Sequence, residues 1–359
     1  MVFFLIALIL IVFNNLEFAP EGNFFQSEYM DKNTTTSING IFVILIVFSH
    51  YAQYANFEGI YDAPYLALRE HLNQMVVATF LFYSGYGMME SLKKKGVLYL
   101  NKIPKKFITL LVKFDLAVCL FWLLGEILNL QYDYGFKSIV LSFTGWWSIG
   151  NSNWYIFVIL VQYFLMWISF QGLRYTKKGV AYYLGILLFL ALTIGFVFFM
   201  MKQGKGMYWY NTAILLPIGM VYSLIKNILE KIVMKNDAFF FLWCMLCSGM
   251  YVVLYFHRFK YGIEGYTLWA CSFISLVLLT TMKIKIGNPV LEWFGKHIFS
   301  VYILQRIPMM ILDYCGCIDS HRYMSLIIAI VTTALMAIIF EYATDKIIAA
   351  PKALLKKNG

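Results

Sequence analysis

The sequence predicts an all-α fold, a polytopic transmembrane helical bundle of about ten core spans preceded by a short hydrophobic helix. Three observations lead there. Of 359 residues, 61% are hydrophobic and 13% charged, whereas soluble domains carry about 25% charged residues, so this surface is not built for water. Apolar runs of roughly 17–25 residues, the length that crosses a hydrocarbon core, recur along the chain with only short polar connectors between them. These runs are apolar throughout and lack the alternation of a membrane barrel strand.

Taken in order, residues 2–13 (VFFLIALILIVF) form a short apolar run without the basic start and small-residue cleavage site of a signal peptide. They are expected to be an extra helix. Residues 14–37 form the longest polar connector, with a Thr run that can end in a helix cap at Ser37. Ten runs follow at 38–54, 71–90, 107–128, 153–170, 180–201, 209–225, 237–256, 266–282, 290–312 and 323–345. The chain therefore divides into an N-terminal segment (1–37), a transmembrane domain (38–345) and a basic tail (346–359). No room is left after residue 345 for a further folded domain.

A net charge of +10 would suggest nucleic acid in a soluble protein, but here the basic residues sort by loop. The connector at 91–106 carries Lys93, Lys94, Lys95, Lys102, Lys105 and Lys106; those at 171–179, 226–236 and 283–289 and the tail are also basic. The intervening loops hold few Lys or Arg, Arg69 and Lys137 among them. Such alternation orients a membrane protein with its basic loops in the cytoplasm, so a multi-pass protein with a cytoplasmic C-terminus is expected, and no nucleic-acid partner. The six cysteines, including Cys244 and Cys247 in CxxC spacing, lie in or beside apolar runs and read as packing residues. No metal is expected.

Ionisable residues inside spans are costly and mark substrate or proton paths. His50, in SINGIFVILIVFSHYAQY, should lie at or slightly outward of the membrane middle, where an imidazole suits general base work on a hydroxyl. The other expensive positions are Glu90, Lys113, Asp115, Glu126, Arg306 and Glu341. Pro217, in LLPIGM, offers one possible helix break.

The stretch around His50 resembles the first signature of the acyltransferase 3 family, integral membrane enzymes that move acyl groups onto sugars and other acceptors. Gly40 and His50 match its glycine and histidine, with Asn39 where the family has Arg. FLFYSGYGMMESLKKKG is similar to the family's next segment through Ser84, Gly85 and Tyr86, and YLNKIPKKFITLL to its basic connector, with Lys102, Lys105 and Lys106 in place of arginines. NSNWYIFVILVQYFL resembles a further segment. FGKHIFSVYILQRIPMMI resembles the last, through Gly295, Lys296, Tyr302 and Pro308, with Gln305 replacing a common His. Gly85 also reads as a close contact between helices.

The resemblance implies an O-acyltransferase that takes an acyl group, most often acetyl, from cytoplasmic acyl-CoA (acetyl-CoA). The acceptor it implies is a hydroxyl of a cell-envelope or exported glycan. In that reading His50 serves the acceptor hydroxyl, Asn39, Ser84 and Tyr86 hydrogen-bond the donor, and the Lys102, Lys105 and Lys106 cluster meets coenzyme A phosphates. Glu126 can orient His50 or contact a sugar. Trp154 belongs first to an interfacial aromatic belt and second to a sugar platform. Tyr302 and Gln305 complete the donor and substrate set. The rivals are a transporter or flippase for a glycan or lipid-linked sugar, and an inactive family relative.

Overall fold

In the computed structural model the structure describes residues 1–19, 24–26, 28–72, 74–130 and 135–357, with side chains as far as 349. Part of the connector before residue 28 and the side chains of Lys352, Lys356 and Lys357 lie outside that set. The chain folds as α1 (Val2–Phe13), α2 (Lys32–Tyr51), α3 (Ala63–Leu72), α4 (Met75–Lys95), α5 (Val97–Leu100), α6 (Ile103–Ile127), α7 (Phe136–Phe143), α8 (Trp154–Ser169), α9 (Lys178–Lys202), α10 (Leu215–Val233), α11 (Asp237–His257), α12 (Gly262–Lys283), α13 (Pro289–Lys296), α14 (Ile298–Leu304), α15 (Arg306–Tyr314) and α16 (Cys317–Lys357). Two-residue strands at Glu17–Phe18 and Ile284–Lys285 pair antiparallel and clip the N-terminal connector to the end of α12.

Seven helical segments among the described residues are long and apolar enough to cross a membrane: Lys32–Tyr51, Val97–Ile127, Trp154–Arg174, Lys178–Lys202, Asp237–His257, Gly262–Lys283 and Cys317–Ala349. The protein is a multi-pass membrane protein. Two further expected runs coincide with α4 and α10, which have 21 and 19 residues and more polar sequences. The short first helix forms as expected.

The expected run at 290–312 is instead three short helices. Asn288 caps α13, its Oδ1 accepting from the Leu291 N–H at 3.0 Å, and α13 stops at His297. Between α14 and α15 lies Gln305, three residues before Pro308. Proline lacks an N–H and clashes with the carbonyl four residues back, so a helix cannot run through it undisturbed; restarting at Arg306 puts Pro308 in a first turn, where it is tolerated. By the same rule Pro217 breaks nothing, because it sits in the first turn of α10.

Helix α2 starts earlier than expected. Asp31, not Ser37, is its cap, the carboxylate accepting from the Thr34 N–H at 2.6 Å, and side-chain capping of the free N-terminal donors is what fixes such a start. With the helix running from Lys32 to Tyr51, His50 falls in the last turn, nearer the end than the middle.

Two backbone-to-backbone helix contacts hold the core. A Cβ on Gly40 would sit 2.0 Å from the Leu291 carbonyl oxygen, and one on Gly295 1.9 Å from that of Thr36, so α2 and α13 touch reciprocally. Gly85 and Leu216, and Gly219 and Phe82, do the same for α4 and α10, at 1.9 and 2.1 Å. In lipid, where water does not drive helices together, such small-residue contacts supply much of the packing.

Three of the intramembrane charges find partners by position, whereas Asp115 Oδ1 is buried without a hydrogen-bond partner among the described residues. Lys113 pairs with Asp345 at 2.8 Å. Glu341 accepts from Ser300 Oγ and pairs with His297 Nδ1, each at 2.7 Å, tying α16 to the broken segment. Glu90 takes Ser223 Oγ at 2.7 Å and Lys93 at 2.5 Å.

Candidate active site

The end of α2, α3, the start of α4, the loop 144–153 and the α14–α15 break enclose a cavity of about 970 Å³, at the upper end of the range for small-molecule sites. His50 is in its wall beside Tyr302, ring centroids 6.0 Å apart, and Tyr155 packs on the far side of Tyr302 at 5.4 Å. The Tyr302 hydroxyl and His50 Nδ1 are buried and have no hydrogen-bond partner among the described residues.

Gln305 is fully buried and donates Nε2–H to the Tyr302 carbonyl at 2.9 Å. Its side chain lies near the His50 ring, but its Oε1, like His50 Nδ1, has no hydrogen-bond partner among the described residues. The helix break puts it there: an unbroken helix would continue past this position without the freed backbone at Tyr302.

Two arginines, which sequence reasoning had not placed in the site, also line the cavity. Arg306 opens α15 and is held by three neutral acceptors: Ser152 Oγ (2.9 Å), Tyr54 OH (3.2 Å) and Gln53 Oε1 (2.6 Å). Arg69 donates from Nε to Ser49 Oγ at 3.3 Å. Neither forms an ion pair with a carboxylate among the described residues, and both charges bear on the His50 ring. The signals were present in the sequence, since Arg306 is a charge inside an apolar run and Arg69 is a basic residue in a loop poor in them.

The loop 144–153 supplies the opposite wall. Gly145 (φ 75°) and Gly150 (φ 96°) turn the chain through the left-handed region, which favours glycine. Asn153 Nδ2 donates to the Gly145 carbonyl at 2.7 Å, and Asn151 Oδ1 accepts from the Ile149 N–H at 3.2 Å. The NSNW segment thus fixes the turn that aims Ser152 at Arg306. Trp154 follows at the cavity wall, edge-on to Tyr208 at 5.9 Å.

Of the residues expected from sequence, His50, Trp154 and Tyr302 line this cavity, with Gln305 behind His50. The others lie elsewhere. Asn39 is three turns earlier on α2, roughly 16 Å at 1.5 Å per residue, its Oδ1 buried without a partner. Ser84 and Tyr86 are on α4 against α10, Tyr86 packing near Tyr222 at 6.0 Å. Lys102, Lys105 and Lys106 are exposed at the start of α6, and Lys106 lies over the Tyr99 ring at 4.5 Å. That is the opposite end of a 25-residue helix, roughly 37 Å from the cavity side. Glu126 is exposed near the end of α6 and does not line the cavity.

No curated protein and no solved structure matches this chain. A family model described as an acyltransferase domain does match, over residues 37–343, from the first turns of α2 into α16. That match takes in every wall of the cavity and all four contact glycines, and on that extent the chain belongs to the acyltransferase 3 family, the membrane acyltransferases.

Proposed function

We propose that this enzyme is an O-acyltransferase that moves an acyl group, in the simplest case acetyl, from acyl-CoA to a hydroxyl of a cell-envelope or exported glycan, with His50 as the base. The observation that carries the reading is an imidazole in the wall of a roomy cavity beside two arginines that pair with no carboxylate among the described residues. His50 Nε2 takes the proton from the acceptor hydroxyl as its oxygen attacks the thioester carbonyl. The carbonyl oxygen gains negative charge, which Arg306 and the Tyr302 hydroxyl stabilise. The C–S bond then breaks, and the departing thiolate takes the proton back from His50. Gln305 would act through His50: its Oε1, unpartnered and near the ring, would turn to accept from Nδ1–H when substrate is bound, which leaves Nε2 free as the base.

The cavity rim, with exposed Glu70, Asp313 and Tyr314, is on the side of the Lys-poor loops. The positive-inside rule puts that side outward, where an exported glycan is met, and puts the C-terminus in the cytoplasm. Trp154, Tyr54 and Tyr208 offer apolar ring faces to a sugar. We place the donor's approach on the opposite, Lys-rich side. Lys102, Lys105 and Lys106 would hold coenzyme A phosphates, and Asn39, Ser84 and Tyr86 would meet the arm that carries the thioester toward His50. Glu126 has no part in this arrangement.

The test is ester-linked acyl content of surface polysaccharide in cells carrying wild-type protein, His50→Ala or no gene. Removal of a general base lowers rates by about 10²–10⁴, so esters should be lost in both altered strains. Equal ester content in all three would overturn the reading. The broken α13–α15 segment beside the cavity is also a feature of transporters; movement of an unmodified lipid-linked sugar across vesicles would favour that second reading.

A further inference from the structure

The charges lining the cavity differ in how they are balanced. Four charged residues line it: Arg69, Glu70, Arg306 and Asp313. Glu70 is drawn away by Arg258 (3.2 Å) and the Tyr255 hydroxyl (2.8 Å). Asp313 is exposed at the rim and pairs with neither arginine. Arg306 spends three donors on Ser152, Tyr54 and Gln53, which fix its plane beside His50 without cancelling its charge.

Arg69 is different again. It spends one donor, on Ser49 Oγ, next to His50 in sequence, and the rest of a partly buried guanidinium fork pairs with no acid among the described residues. A cation held in such a wall is costly without a counter-charge, and the planar fork matches carboxylate and phosphate oxygens two at a time. Aromatic groups, Trp154, Tyr54 and Tyr208, make up much of the remaining wall.

We infer that Arg69 recognises a negative charge on the acceptor, so that the substrate class is an acidic glycan with a carboxylate or phosphate near the hydroxyl to be acylated. This rests on the acyltransferase reading for what happens to the hydroxyl, but the binding of the sugar does not require turnover. Because Arg69 is anchored on Ser49, the residue before His50, and lines the same cavity, the anion is held in the space His50 faces.

The experiment uses the full-length protein in detergent, without donor, and measures equilibrium binding of a galacturonate trisaccharide, the neutral galactose trisaccharide of the same linkage, and that trisaccharide phosphorylated on its terminal ring. Charge-assisted hydrogen bonds of about 1.5–3 kcal/mol correspond to roughly 10–100-fold in affinity. Wild-type protein is therefore expected to bind at least one acidic probe about tenfold more tightly than the neutral one, the stronger of the two identifying carboxylate or phosphate. Arg69→Gln should lose that preference, and Arg69→Lys, which keeps charge but not the fork, should retain part of it. Lys137→Gln, which removes an exposed charge on α7 away from the cavity lining, should retain all of it. A preference that survives in Arg69→Gln, no preference in wild type, or no binding of any probe would each overturn the inference. So would competition by acetyl-CoA that depends on Arg69, because the anion would then be the donor's phosphate. Failure of the acyltransferase reading would appear separately, as unchanged ester content in His50→Ala cells.

Discussion

The reciprocal glycine contacts allow a comparison between two positions two residues apart on α4. In Gly85→Ala the new Cβ would lie 1.9 Å from the Leu216 carbonyl oxygen, whereas ordinary contact begins at 3.4 Å. The obstacle is helix backbone, which cannot rotate aside as a side chain would, so α4 and α10 must part by about 1.5 Å. A radial gap of only 0.5–1 Å already forfeits roughly a quarter to a half of each dispersion contact, and overpacking of cores costs about 1–3 kcal/mol; the rigid wall puts this case near the top of that range, about 3 kcal/mol. Gly87→Ala meets nothing within 4 Å, and the better helix propensity of alanine, worth up to about 1 kcal/mol, makes it neutral or stabilising. Thermal unfolding of the purified protein in one detergent should therefore separate the variants by at least ~5 °C, with Gly85→Ala lower. Equal midpoints, or a lower midpoint for Gly87→Ala, would refute the argument that backbone contact at this crossing holds the bundle together.

Three further outcomes are expected. Arg306→Lys should lower kcat by about 10²–10³, because an ammonium cannot hold three fixed acceptors and still face the developing oxyanion; acyl transfer by reconstituted protein measures it, and full activity would remove Arg306 from the mechanism. Gln305→Leu should reduce kcat about tenfold with little change in KM or melting temperature and should alter the pH–rate profile, while Gln305→Glu, which keeps an acceptor at that place, should restore most of the rate; equal effects of the two would show a packing role only. Asp31→Ala should cost about 1 kcal/mol through the lost cap on α2, read as a lower melting temperature, whereas Ser37→Ala should cost less.

The sequence by itself determined the class of fold. Hydropathy and run length act residue by residue along a helix, so the composition and spacing of SINGIFVILIVFSHYAQY or DAFFFLWCMLCSGMYVVLYFH sufficed to identify helices long and apolar enough to cross a membrane. It also singled out His50, because a titratable group in an apolar run is conspicuous without any knowledge of its neighbours. Gly85 was legible as a helix contact for the same local reason. What the tertiary structure decided was which distant residues share a space. Arg69 on α3, Ser152 before α8 and Arg306 on α15 lie far apart in the chain and converge only because two glycine crossings and a proline-enforced restart fold their helices around one cavity. The same packing separates His50 from Lys102, Lys105 and Lys106 by roughly the length of α6, a separation no motif spacing encodes. Periodicity and hydropathy are one-dimensional quantities, whereas a site is a set of charges and hydrogen-bonding groups whose partners are fixed by three-dimensional contact.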